Sequence, residues 1–128
     1  METQIGCKKK LLVIDDDPLM LRTIRGWLSG EYDVSVVTSG QTALSFLKKF
    51  VPDLILLDYE MPVMSGAQFF KTIKADDATA SIPVYFLTGK DDDNGVAEIN
   101  ALNPEGCIFK TKTPDEVREI IASFFLSR

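Results

Sequence analysis

The sequence contains no histidine, only two cysteines and no long apolar segment, and each absence excludes a class of protein. Cys7 and Cys107 match neither a zinc-ligand spacing nor a disulfide framework. No run approaches the ~20 consecutive apolar residues that a membrane-spanning helix requires, and the N-terminus lacks the pattern of a signal peptide. We therefore expect a cytoplasmic protein outside the membrane, in which oxygen atoms hold any metal ion.

Positive charge is also scarce. The chain has 14 lysines and arginines against 19 aspartates and glutamates, a formal net charge of −5. Nucleic acid binds clustered positive charge, and the one basic cluster is the run Lys8-Lys9-Lys10, which we interpret as a solvated lead-in. The charge balance therefore predicts that this segment does not bind nucleic acid.

Five short apolar runs alternate with segments of helical period along the 128 residues, which we expect to form a single domain, 1–128, with 1–9 as a loose lead-in. Runs that are apolar at consecutive positions are typical of strands covered on both faces. The order βαβαβαβαβα predicts an α/β fold with a five-stranded parallel sheet and helices on both faces. The predicted strands are LLVI (11–14), VSVV (34–37), LILL (54–57), VYFL (84–87) and CIF (107–109).

Cap residues predict where most helices begin. These signals are Asp17-Pro18, Ser39 and the capping box at Thr113-Pro114-Asp115-Glu116, and Gly66 is predicted to open the third helix. The fourth helix has weaker signals and is predicted from about Asp92 to Leu102. The second helix is expected to carry, before Pro52 ends it, the apolar residues Ala43, Leu44, Leu47 and Phe50.

Polar residues stand where the predicted strands end. In an open parallel sheet, sites form at the carboxyl ends of the strands, so these side chains should converge if their strands are neighbours. Crowded carboxylates repel each other unless a cation joins them, and Mg²⁺ binds carboxylates, waters and phosphate oxygens. Asp58 would then be a nucleophile for a phosphoryl group, with Lys110 and Thr88 on the phosphoryl oxygens. The strand-end residues are Asp15, Asp16, Asp17, Asp58, Thr88 and Lys110.

The motifs VIDDDP, LLDYEMPVMSG, FLTG and FK at 109–110 together resemble the receiver domain of two-component response regulators, over nearly the whole chain. The resemblance implies a flavodoxin-like, doubly wound (βα)5 sandwich. It also implies that Asp15 and Asp16 bind Mg²⁺ with Asp58, that Asp58 is phosphorylated, and that the main-chain carbonyl of Glu60 is a further metal ligand. The implied roles of Thr88 and Lys110 are the switch hydroxyl and the phosphoryl-contacting lysine, respectively.

The same resemblance implies the partners. A sensor histidine kinase or a histidine phosphotransfer protein would donate the phosphoryl group, and an output protein or domain would respond to it. Because no output segment fits in 128 residues, we expect either a stand-alone regulator or part of a larger one. The domain would transfer the group only to itself, so we do not expect an enzyme.

Three alternatives remain open at this point. Asp17 can cap the first helix instead of binding metal, and Lys112 is a rival of Lys110 for the phosphoryl group. A small phosphatase of the haloacid-dehalogenase type would use Asp15 as its nucleophile. That reading leaves DYEMPVMSG unexplained and lacks the last acidic motif, which should follow the lysine.

The sequence departs from the receiver pattern after and within the fifth strand. Thr111 follows Lys110 where receivers usually have proline, so a trans bond and a strained cis bond both remain open. Cys107 occupies the position where receivers commonly carry an aromatic switch residue. A thiol cannot make the same movement, so another aromatic such as Tyr85, or a backbone or helix shift, would have to report phosphorylation.

Glu60 and Lys90 lie two residues beyond Asp58 and Thr88, respectively. Their opposite charges suggest a pair over the phosphoryl site. Such a pair would screen the attacking water, so we hypothesise that it lengthens the lifetime of the aspartyl phosphate.

Overall fold

The structure, a computed structural model, describes residues 8–89 and 93–128. Strands and helices alternate throughout, and all neighbouring strands are parallel in the order β2-β1-β3-β4-β5. The strands are β1 (Lys10–Ile14), β2 (Asp33–Val37), β3 (Leu54–Asp58), β4 (Val84–Thr88) and β5 (Gly106–Phe109). The helices are α1 (Pro18–Leu28), α2 (Gly40–Leu47), α3 (Gly66–Lys74), α4 (Asp93–Leu102) and α5 (Pro114–Leu126).

The core has two parts, one on each face of the sheet. In β1, Leu11 and Val13 point to the face covered by α1 and α5, whereas Leu12 and Ile14 point to the face covered by α2, α3 and α4. All five residues of β3 are buried. The predicted doubly covered parallel sheet is therefore confirmed.

Side-chain caps fix where the helices begin. Asp17 accepts a hydrogen bond from the amide of Leu19, as expected of a cap residue, and Ser39 caps α2. The third helix, α3, begins at Gly66 as predicted, and Ser65 is its N-cap and forms a capping box with Gln68. The predicted capping box of α5 at Thr113 is present.

The second helix is shorter than predicted. It ends at Leu47, so the expectation that this helix extends to Phe50 was wrong, and Phe50 is 56% exposed. The amide of Phe50 still bonds the carbonyl of Phe46 at 3.0 Å, and their ring centroids are 5.1 Å apart at the surface. The chain leaves the helix before Phe50 because Pro52 favours an extended conformation at the preceding residue and leads into β3.

The predicted start of the fourth helix lies at the end of a described range. The structure has α4 beginning at Asp93, while Asp92 and Cys7 lie outside the described residues. No helix within residues 8–89 and 93–128 is both long and apolar enough to cross a bilayer.

Candidate functional site

The strand order brings four predicted site residues to one edge of the sheet. Asp15 follows β1, which lies beside β3, and Asp58 is the last residue of β3. Thr88 ends β4, one residue beyond Leu87, the partner of Asp58 in the ladder. Lys110 follows β5 directly, and its amide bonds the Thr88 carbonyl at 2.8 Å.

Lys110 joins the two buried carboxylates of this edge. Its Nζ lies 2.8 Å from Oδ2 of Asp15 and 3.2 Å from Oδ1 of Asp58. Asp15 is 0% exposed and Asp58 3% exposed, so neither carboxylate is well solvated. Lys112 lies near Glu116 instead, which places Lys110 rather than its rival at the carboxylates.

The crowding shifts the proton affinities of the site. Burial, followed by the charge of Asp15, raises the pKa of Asp58 to about 7, although Lys110 and the Glu60 amide oppose the shift. Burial also disfavours the charged form of Lys110, but hydrogen bonding and charge from Asp15 and Asp58 outweigh it and raise the pKa of Lys110. Without a further cation, therefore, the site holds its negative charge at an energetic cost.

Asp15, Asp16 and Asp58 form the acidic group that was predicted from sequence. One carboxylate oxygen of each lies within 4.8 Å of the others. Oδ1 of Asp15 accepts a hydrogen bond from the Asp17 amide at 3.0 Å. Oδ2 of Asp15 is buried and lies 2.8 Å from the Lys110 ammonium. Two buried carboxylates and an exposed third suit a hard divalent ion.

The loop after β3 is held close to the site. The amide of Glu60 donates to Oδ1 of Asp58 at 3.3 Å, and the amide of Gly66 donates to the carbonyl of Tyr59 at 3.1 Å. A Cβ atom at Gly66 would lie 2.3 Å from the Asp58 carbonyl, so only glycine fits this close approach. Val63 has a φ of 68° and is 91% exposed, a strained conformation for a β-branched residue.

Methionines pack the same loop. Met61 and Met64 are partly buried against the core on the α2, α3 and α4 face. A Cβ atom at Gly40 would lie 2.7 Å from the Met64 sulfur, so Met64 fills the space at the start of α2. This contact anchors the loop to the start of α2.

One open question about the end of β5 is answered by the structure. The Lys110–Thr111 peptide bond is trans. Cys107 is half-buried, and burial raises the pKa of its thiol, which makes it a poor nucleophile. Tyr85 packs against Phe124 of α5 with ring centroids 5.7 Å apart, so it lies on the face away from α4.

One contact near the site was not predicted. The hydroxyl of Tyr59, the residue after Asp58, donates to Oε1 of Glu98 in α4 at 2.9 Å. Burial, followed by the hydrogen bond to Glu98, raises the pKa of Tyr59. Of the Glu60 and Lys90 pair, Lys90 lies outside the described residues, and that hypothesis stays a prediction.

Known proteins resemble this chain in sequence and in structure. The family described as "Response regulator receiver domain" matches residues 11–122. Chemotaxis protein CheY-3 of Vibrio cholerae is 29% identical over 127 residues, which cover 98% of each chain. Response regulator PleD of Caulobacter vibrioides is 36% identical over 109 residues, 84% of this chain and 24% of PleD. The structure of Vibrio cholerae CheY4 superimposes with a TM-score of 0.83 at 25% identity, over 91% of this chain and 98% of that one.

Other relatives are much longer than the match. The chain spans 18% of a "Probable cyclic di-GMP phosphodiesterase" of Vibrio cholerae, which is 40% identical over 80 residues. It spans 36% of the DNA-binding response regulator MtrA of Mycolicibacterium smegmatis. The similarity to these proteins therefore concerns one segment of each.

Proposed function

The chain belongs to the response regulator receiver domain family, and on that premise we propose that Asp58 accepts a phosphoryl group from a phosphohistidine of a partner protein. Receiver domains are signalling modules of two-component systems and interact with histidine kinases and output domains. The partners proposed here are a sensor histidine kinase or a histidine phosphotransfer protein upstream, and an output protein or domain downstream. We further propose a single cytoplasmic domain that is not an enzyme and turns over no external substrate.

The observation that carries this proposal is the Lys110 ammonium between two buried carboxylates. Its Nζ is 2.8 Å from Asp15 and 3.2 Å from Asp58, so an anionic group arriving on Asp58 meets a cation already in place. Such preorganised charge stabilises a phosphoryl group without reorganisation during the transfer. The buried hydroxyl-bearing residue Thr88, at the end of the neighbouring strand, is the proposed donor to a second phosphoryl oxygen.

The proposed transfer is a direct displacement at phosphorus. A carboxylate oxygen of Asp58 forms the new O–P bond while the P–N bond of the phosphohistidine breaks. The imidazole nitrogen keeps the electron pair of that bond and takes a proton from solvent. The carboxylate must be ionised to attack, and the charge on Lys110 favours that form.

The acidic group supports a Mg²⁺ site. Asp15, Asp16 and Asp58 would hold the ion, and the main-chain carbonyl of Glu60 is the proposed further ligand. When bound, Mg²⁺ supplies positive charge that balances the carboxylates and the phosphoryl oxygens. Both groups that need this charge, Asp15 and Asp58, are buried.

No observation favours the phosphatase alternative. Its nucleophile, Asp15, is 0% exposed, and its Oδ2 is paired with Lys110. Asp58 is nearly as buried, but it ends a strand and is followed by the loop that carries Glu60 and Gly66.

The proposal is tested with beryllofluoride, which mimics a phosphoryl group on a carboxylate. Calorimetry would measure its binding in Mg²⁺ to the wild type, to Asp58→Asn and to the control Asp33→Asn, which alters an exposed aspartate of β2. We expect binding by the wild type and the control but not by Asp58→Asn. Equal binding by Asp58→Asn, or none by the wild type, would overturn the proposal.

A further inference from the structure

Among the helices, α4 has a small apolar anchor. Of its described side chains only Ile99 is buried, and Leu102 is partly buried. By comparison, α3 buries Phe69, Phe70 and Ile73. A helix held by few apolar contacts is more easily displaced than its neighbours, so a polar contact to α4 has a proportionally larger effect on its position.

Tyr59 provides such a contact from the residue next to the proposed phosphoacceptor. Its amide donates to the carbonyl of Leu87 in β4 at 2.9 Å, and its carbonyl accepts from the Gly66 amide of α3 at 3.1 Å. The ring meets Phe86 edge to face, with centroids 5.6 Å apart. The backbone of Tyr59 is therefore bonded to β4 and to α3, while its side-chain hydroxyl donates a hydrogen bond to Glu98 of α4 at 2.9 Å.

Neither Cys107 on β5 nor Tyr85 on β4 provides this link. The side chain of Cys107 lies on the α4 face of the sheet, but it has no aromatic ring with which to contact α4. Tyr85 lies on the opposite face against Phe124. Tyr59 is therefore the described tyrosine that joins the edge of the sheet carrying Asp58 to α4.

We propose that Tyr59 is a positioning residue that couples the charge on Asp58 to the position of α4 through its hydrogen bond with Glu98. This inference rests on the proposed function of Asp58. A phosphoryl group adds negative charge beside the Glu60 amide, which now bonds the Asp58 carboxylate. A change in this loop alters the direction of the Tyr59 side chain, and α4 follows or loses its contact. Coupling of this kind is reciprocal, so α4 also affects binding at Asp58.

The test follows amide hydrogen exchange in α4 of the full chain, with and without Mg²⁺ and beryllofluoride. The variants are Tyr59→Phe, Glu98→Ala, which removes the acceptor, and their combination, and the matched control is Tyr85→Phe, which removes a hydroxyl from the other face. In the wild type we expect loading to change exchange in α4 by about two- to tenfold, the range set by one exposed hydrogen bond. We expect Tyr59→Phe, Glu98→Ala and the double variant all to lose this response to the same extent while still binding beryllofluoride.

The outcomes separate the inference from the function beneath it. An unchanged response in Tyr59→Phe overturns the inference, as does an equal loss in Tyr85→Phe, because that result would indicate a general loosening. A wild type that binds beryllofluoride without any response in α4 also overturns the inference and leaves the proposed function standing. A wild type that does not bind beryllofluoride overturns the proposed function and the inference together. By reciprocity, the affinity for beryllofluoride should shift in Tyr59→Phe and stay constant in Tyr85→Phe.

Discussion

Two half-buried lysines at opposite edges of the sheet have opposite surroundings. Lys74, at the end of α3, donates from Nζ to the carbonyls of Ala80 and Ile82 at 3.0 and 2.8 Å and closes the loop before β4. Lys110 faces two carboxylates instead. Burial lowers the pKa of Lys74, whereas the carboxylates raise the pKa of Lys110 against the effect of burial.

The different surroundings of the two lysines indicate that one edge of the sheet has a structural role and the other a binding role. The carbonyls around Lys74 are neutral and form part of a finished loop, so that lysine is a structural connection. The carboxylates around Lys110 are buried and repel one another, and burial, followed by the charge of Asp15, raises the pKa of Asp58. An edge with such unbalanced charge is suited to bind a cation and an anionic group, and substitutions at the two edges should separate binding from stability.

The largest effect is expected for Lys110→Met. Removing a preorganised charge from a site of charge development costs about 100- to 1000-fold in rate, so labelling of Asp58 by acetyl phosphate should slow by that factor. Lys74→Met should leave labelling unchanged and lower the free energy of unfolding by about 1 to 2 kcal/mol, because two carbonyls lose their donor. Labelling kinetics and urea unfolding measure the two quantities, and equal labelling rates for both variants would contradict the comparison.

Gly66→Ala should destabilise the carboxyl edge by about 3 kcal/mol, because the new Cβ would lie 2.3 Å from the Asp58 carbonyl. The matched control is Gly26→Ala in α1, where no atom lies within 4 Å of the added Cβ. There, alanine should stabilise by about 0.5 to 1 kcal/mol through its helix propensity. Chemical denaturation of both variants tests the pair, and a stable Gly66→Ala protein would contradict the close approach of this loop.

Asp58→Asn should stabilise the metal-free protein by on the order of 2 kcal/mol at pH 8. The pKa of Asp58 is about 7 in the folded chain, above its unfolded value, so the folded state binds more protons. Wild-type stability should therefore fall as pH rises from about 4 to about 7. The difference between the variant and the wild type should shrink towards pH 4 and decrease on adding Mg²⁺.

Thermal unfolding across this pH range measures the effect. The control is Asp53→Asn at the amino edge, an exposed aspartate that accepts a hydrogen bond from the Lys10 amide at 2.8 Å. An amide oxygen can keep that bond, so little change with pH is expected. If Asp53→Asn stabilised as much as Asp58→Asn at pH 8, the crowding at the carboxyl edge would not be the cause.

The smallest effect is expected at Val63. Its φ of 68° is unfavourable for valine but easy for glycine, so Val63→Gly should stabilise by about 1 kcal/mol. Val51→Gly, at an exposed valine without positive φ, should instead be neutral or destabilising. The free energies of unfolding of the two variants, each compared with the wild type, test this prediction. A destabilised Val63→Gly protein would show that the loop conformation is not strained.

The sequence was informative where local rules determine the structure. Consecutive apolar residues predicted β1 and β3, and their burial on both faces confirms the prediction. Asp17 and Thr113 marked helix starts because capping depends only on near neighbours. The convergence of Asp58 and Lys110 followed from the rule that parallel strands end at one edge.

The remaining features depend on contacts between distant segments. The hydrogen bond from Tyr59 to Glu98 joins a loop to a helix with weak sequence signals, and no pattern of spacing relates the two. The exposure of Phe50 depends on where α2 ends, and helix ends are poorly determined by periodicity alone. The sequence left the Lys110–Thr111 bond open, because receivers usually have proline at this position and a cis bond before threonine is costly but not impossible. The structure has the trans bond.

The most direct test of the central claim locates the phosphoryl group in the chain. The wild type would be phosphorylated with acetyl phosphate and Mg²⁺, reduced with borohydride to convert an aspartyl phosphate to homoserine, and sequenced by mass spectrometry. We predict homoserine at position 58 and unmodified aspartate at positions 15 and 16. Homoserine at position 15, or none at any aspartate, would contradict the account.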